Sequence, residues 1–149
     1  MLAVIRPDSW NLPLFVHVAG AMLLVGALVV ATVAMSVVLR RGDGVAVLSR
    51  LAFRTLLIGV IPSYILMRVG AEWIASESNL PDDLSWIGLG YIVADGGLLL
   101  MIIATVLAWR ASRRGEEGPG GVGRAAFVLA AVLIVAYGMA VWAMTTKPV

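Results

Sequence analysis

The stretch LFVHVAGAMLLVGALVVATVAMSVVL, residues 14–39, contains one ionisable side chain, His17, and is otherwise almost wholly apolar. A helix needs about 20 mostly apolar residues to cross a hydrocarbon core about 30 Å thick, so this segment alone is long enough to span a membrane. Three more stretches pass the same test: residues 55–75, 86–109 and 125–144. The third of the four spans holds only Asp95 as a charged residue, and the fourth holds none. Composition agrees. The 149 residues are 61% hydrophobic and 13% charged, with a mean hydropathy of +0.99, whereas a soluble domain carries about a quarter charged residues. The expected fold is all-α: residues 1–149 form a single polytopic membrane domain, a bundle of four transmembrane helices.

The connections orient the bundle. RRGDGVAVLSRLAFR (40–54) carries Arg40, Arg41, Arg50 and Arg54, and RASRRGEEGPGGVGR (110–124) carries Arg110, Arg113, Arg114 and Arg124. ASESNLPDDLS (75–85) has no basic residue and holds Glu77, Asp82 and Asp83. The positive-inside rule puts the two basic loops in the cytoplasm and both termini outside. Trp10, Trp73, Trp86 and Trp142 then mark the outer boundary and Trp109 the inner one, as an interfacial aromatic belt should. The expected location is the plasma (inner) membrane of a bacterium, with the bilayer as first partner and a homo-oligomer or larger membrane complex as the second.

Several function classes fall away. Net charge is only +2 and the arginines cluster at helix ends, so the basic balance does not point to nucleic acid. With no cysteine, disulfides, thiolate chemistry and iron–sulfur ligation are excluded together. No phosphate loop, nucleophile triad or zinc motif is present, and an enzyme is not expected. In the first loop the Gly42–Asp43–Gly44 turn should lead into a helix that starts near residue 46 and lies partly along the membrane surface, with Val47, Leu48, Leu51 and Ala52 on one face. Pro62 deprives the Ile58 carbonyl of its donor and should kink the second span beside Gly59. GEEGPGG (115–121) reads as a flexible connector. Gly20, Gly26, Gly88, Gly96 and Gly97 are the glycines expected to let helices approach closely.

The polar residues inside the spans are the candidate site. Counting about 1.5 Å per residue from the outer ends, His17 lies roughly 6 Å deep, Arg68 10 Å, Glu72 4 Å, Tyr91 7 Å and Asp95 13 Å. All fall in the outer half. Tyr64, Arg68 and Glu72 form one helical stripe, and Gly88, Tyr91 and Asp95 another. Because an unpaired charge in hydrocarbon is costly, these residues should face the bundle interior and pair. Arg68 has two acids within reach. An arginine preceding a glutamate is the weaker intrahelical order, so Asp95 is the expected principal partner, with Glu72 nearer the outer water. The cluster reads first as a bridge fixing two helices, second as an outer-facing pocket, and third as snorkelling of Arg68 and Glu72 to the headgroups. His17 reads as an interfacial hydrogen-bonding residue, with ligation of haem or copper as the minority reading.

The segment HVAGAMLLVG, residues 17–26, resembles the H-x-x-G-A-x-x-x-x-G opening helix of small bacterial integral membrane proteins. Those four-helix families look like relatives of the copper-resistance D membrane proteins. The likeness continues through LRRGDGVAVLSRLAFR, residues 39–54, and covers the first half of the chain. The resemblance implies the four-helix architecture and, in the copper-resistance relatives, metal handling by histidines and methionines, of which His17 is the matching position. Three functions follow as expectations. The leading one is a non-enzymatic accessory or scaffold component. The others are a redox or metal module holding haem, quinone or copper, and an oligomeric proton- or ion-coupled transporter.

Overall fold

The computed structural model describes residues 8–41, 44–78, 85–118 and 120–146. A short 3-10 turn, Asp8–Trp10, leads into α1 (Asn11–Arg41). The second span comprises α2 (Val45–Arg54), a π-helical turn (Thr55–Val60) and α3 (Ile61–Ser78). The third and fourth spans are α4 (Ser85–Arg113) and α5 (Gly120–Thr146), joined by a 3-10 turn at Gly115–Glu117. Four helical segments, at 8–40, 45–77, 90–113 and 120–146, are each long and apolar enough to cross a membrane. The protein is multi-pass by helix length and hydropathy.

Two sequence expectations change here. The helix begins at Val45, beside its expected start at 46, and α2 runs without interruption into the π-turn, but it buries a different face from the one expected. Its buried stripe is Val45, Ser49 and Ala52, while Val47 and Leu51 are exposed. Small Ser49 and Ala52 let α2 lie close to both α1 and α4. The glycine-rich segment is also more ordered than expected, because a helical turn occupies Gly115–Glu117 and α5 starts at Gly120. The turn expected at Gly42–Asp43, the acidic pair Asp82 and Asp83, and the Trp86 side chain lie outside the described residues.

The proline does what its chemistry requires, with one refinement. Pro62 follows directly on the π-turn, in which the Ile61 N–H bonds the Leu56 carbonyl five residues back. Widening this turn accommodates the ring and the missing donor without ending the helix. The disturbance sits midway along the second span and separates two packing regimes. Before it, α2 packs against α1 and α4; after it, α3 packs against α1 and scarcely touches α4. The bundle is therefore closed at its arginine-rich end and open between α3 and α4 at the other.

Two glycines hold α3 to α1. A Cβ on Gly20 would run into the Met67 backbone, and a Cβ on Gly70 into the His17 backbone. The pairs 17–70 and 20–67 are the rungs of an antiparallel crossing in which main chain touches main chain. On the far side α4 and α5 pack along a seam of Ala94, Ala104, Ala108 and Ala111 against Ala126, Ala130, Leu133 and Ala140. Leu24, Leu28, Met35, Leu56 and Met101 fill the centre and are wholly buried. Of the glycines expected to allow close approach, Gly20 and Gly97 do so, whereas Gly26, Gly88 and Gly96 meet nothing within 4 Å among the described residues.

This packing predicts a sharp contrast. Gly20→Ala and Gly70→Ala should each destabilise the protein by about 1–3 kcal/mol through overpacking against a main chain that cannot yield. Gly26→Ala should be neutral or slightly stabilising, since alanine is the better helix former. Thermal unfolding in detergent is the measurement.

Candidate functional site

The cleft between α3 and α4 brings together Arg68, Glu72, Tyr91 and Asp95. Arg68, on α3, is the hub. Its Nη1 lies 3.0 Å from Glu72 Oε1 one turn along the same helix. Its Nη2 lies 3.5 Å from Asp95 Oδ1 on α4, and its guanidinium carbon sits 4.5 Å from the centre of the Tyr91 ring. One planar fork thus takes a carboxylate at each end and an aromatic face on its side. With α3 and α4 otherwise apart, this clasp is the main link between them beyond the π-turn.

The expectation that Asp95 is the principal partner of Arg68 is corrected by these distances. Glu72 makes the shorter contact. Helix geometry explains why: residues four apart share a face whatever the neighbouring helix does, whereas Asp95 has to be met across the gap that the π-turn opens. Asp95 is also not turned into the bundle. Its side chain is 67% exposed and that of Glu72 52%, against 27% for Arg68.

Behind the clasp, in the core, lie two buried tyrosines. Tyr64 belongs to the core. Tyr137, from α5, is 4% exposed, and its hydroxyl has no hydrogen-bond partner among the described residues. That hydroxyl rests against Gly97, where a Cβ would lie 2.7 Å from the oxygen. Tyr64 and Asp95 are the charged or titratable groups acting on it. The cleft therefore holds all three tyrosines of the chain, and Tyr137 is the member that the sequence reading missed. Depth would have found it. Seven residues from the expected outer end of the fourth span, it lies about 10 Å deep, level with Arg68.

His17 stands apart from the clasp, on the α1 side of α3. Its Nδ1 lies 2.9 Å from the Met67 carbonyl oxygen. A carbonyl can only accept, so Nδ1 carries the proton, and in the neutral ring Nε2 keeps a free lone pair. The hydrogen bond ties the side chain to the same crossing that Gly20 and Gly70 allow. Among the described residues no three His, Asp or Glu side chains converge as a metal site would need. His17 is the one histidine of the chain.

Sharing one arginine between two acids makes the effects of mutation non-additive. Glu72→Gln or Asp95→Asn alone should cost about 1 kcal/mol or less, because the other carboxylate remains and both are exposed. The double variant leaves Arg68 without a counter-charge at membrane depth, and should cost clearly more than the sum of the two. Thermal unfolding of the four proteins in one detergent checks this. Strict additivity would mean that the two acids act independently of Arg68.

No family model, curated protein or solved structure matches the chain.

Proposed function

We propose that this protein is a non-enzymatic accessory subunit of a membrane assembly, and that the α3–α4 cleft receives a transmembrane segment of a different protein. The exposure of Asp95, two-thirds free in the isolated chain, carries this reading. At roughly 13 Å below the outer boundary, a carboxylate needs water or a counter-charge beside it to avoid a cost of a few kcal/mol. A partner helix laid over the cleft removes that exposure.

Charge decides the kind of partner. Arg68 offsets one of the two acids, so the clasp holds one formal negative charge in excess. A second copy presenting the same face would bring a like charge to it, which disfavours self-association through the cleft. A partner helix with an arginine or lysine in its outer third supplies the missing counter-charge.

A second reading rests on His17. Ligating histidines commonly donate their other ring N–H to a backbone carbonyl, as Nδ1 does here to Met67. That arrangement leaves Nε2 able to bind haem or copper if a second copy or a partner completes the site.

The experiment uses the purified protein in nanodiscs and two labelled synthetic transmembrane peptides, apolar except for one outer-third arginine or a leucine in its place. Energy transfer should report at least about tenfold tighter association of the arginine peptide, equivalent to about 1.4 kcal/mol. Asp95→Asn should abolish that preference. Equal association of both peptides would contradict the accessory reading. An optical spectrum and metal content of the same sample separate the second reading: stoichiometric haem or copper that is lost in His17→Ala would put it first.

A further inference from the structure

At the opposite end of the bundle, a cavity of about 490 Å³ opens between α2 and α4, lined by Arg50, Phe53, Arg54, Trp109, Ser112 and Arg113. Its size is that of a small-molecule site. Three arginines line it, and none forms an ion pair with a carboxylate among the described residues, where both salt bridges belong to Arg68. Arg113 is held at the wall by its own neighbour, with its guanidinium carbon 5.4 Å from the centre of the Trp109 ring. The Ser112 hydroxyl donates to the Trp109 carbonyl 2.7 Å away, which leaves its oxygen lone pairs and not its proton toward any ligand. The arginines are therefore the ligand donors of this cavity.

Like charges in one cavity repel, and among the described residues no carboxylate within ion-pairing distance relieves these three, which are open to solvent. Their level in the fold identifies what does. Arg54 ends α2 where the apolar part of the second span begins, and Trp109 marks the same boundary on α4. Lipid phosphates lie at this level. Phe53 and Trp109 offer apolar surface beside the cationic groups, as a ligand with a charged head and an apolar body requires.

We propose that this cavity is a binding site for the phosphate-bearing headgroup of an anionic phospholipid. Arg50, Arg54 and Arg113 contact the phosphate, with the forked geometry that suits guanidinium to phosphate oxygens. Trp109 and Phe53 pack on the glycerol and the first methylenes. Basic pockets between transmembrane helices at such a boundary hold anionic headgroups by this chemistry. A bound lipid would also fasten α2 to α4 at the closed end of the bundle, opposite the open cleft. The site is independent of the accessory reading and stands or falls without it.

The test is native mass spectrometry of the detergent-purified protein, titrated with phosphatidylglycerol or phosphatidylcholine of identical acyl chains. Phosphatidylglycerol should be retained about tenfold better. The pocket variant Arg50→Gln/Arg113→Gln should lose that preference. The control Arg40→Gln/Arg124→Gln, which removes equal charge from the same end outside the cavity, should keep it. All four side chains are exposed, and circular dichroism verifies that both variants retain their helices. Arg54→Gln alone gives a milder second probe, with a partial loss expected. Equal retention of the two lipids, or equal loss of preference in pocket and control variants, would overturn the site. Inorganic phosphate held as tightly as phosphatidylglycerol would show a free-anion pocket and overturn the lipid assignment.

Discussion

The crossing of α1 and α3 at Gly20 and Gly70 is the contact on which the remaining architecture turns. Main chain meets main chain there because neither position carries a Cβ. Association of helices in lipid draws little from the hydrophobic effect and depends on such close van der Waals approach. Drawing α3 against α1 takes it away from α4, and the π-turn before Pro62 lets one continuous span obey two neighbours. Its first part stays with α4 and its second part departs. The open cleft is thus a consequence of a backbone contact on the other side of the same helix.

That asymmetry sorts the polar chemistry of the protein. At the open end, acids outnumber the single arginine, and three tyrosines from three helices converge around them. At the closed end, arginines line an aromatic-walled cavity and none is ion-paired to a carboxylate among the described residues. The inner halves of the spans between these zones contribute only apolar side chains and hydroxyls such as Thr32 and Thr105, which return their protons to carbonyls one turn back. A helix bundle so apolar in its middle has little means of moving a charge across it, whereas each end is equipped to hold one.

Much of this was legible in the residues. Apolar run length gave the four helices, because the bilayer imposes a minimum length and the backbone must satisfy itself within it. Helical spacing put Tyr64, Arg68 and Glu72 on one stripe, and depth put Asp95 within reach. The ranking of the two acids was not legible, since it depends on how far α4 stands from α3, and that distance is set by Gly70, a glycine embedded in a charged stretch and passed over. The π-turn was legible only as a kink at Pro62. Tyr137 was missed because it comes from a helix with no charge to draw attention, although its depth matches that of Arg68. The basic cavity was missed for a different reason: its arginines were counted as loop charges, and only the packing of α2 on α4 makes them neighbours.

The central claim is that the cleft beside Asp95 is open to water at a depth where the rest of α4 faces lipid. A chain without cysteine permits a direct measurement: reaction of single-cysteine variants in nanodiscs with a charged, membrane-impermeant thiol reagent. Asp95→Cys should react at least about tenfold faster than Leu99→Cys, which lies one turn deeper on the same helix and is exposed on its surface. Equal protection of the two positions from the reagent would contradict the open cleft, and with it the account of how the Gly20–Gly70 crossing shapes the protein.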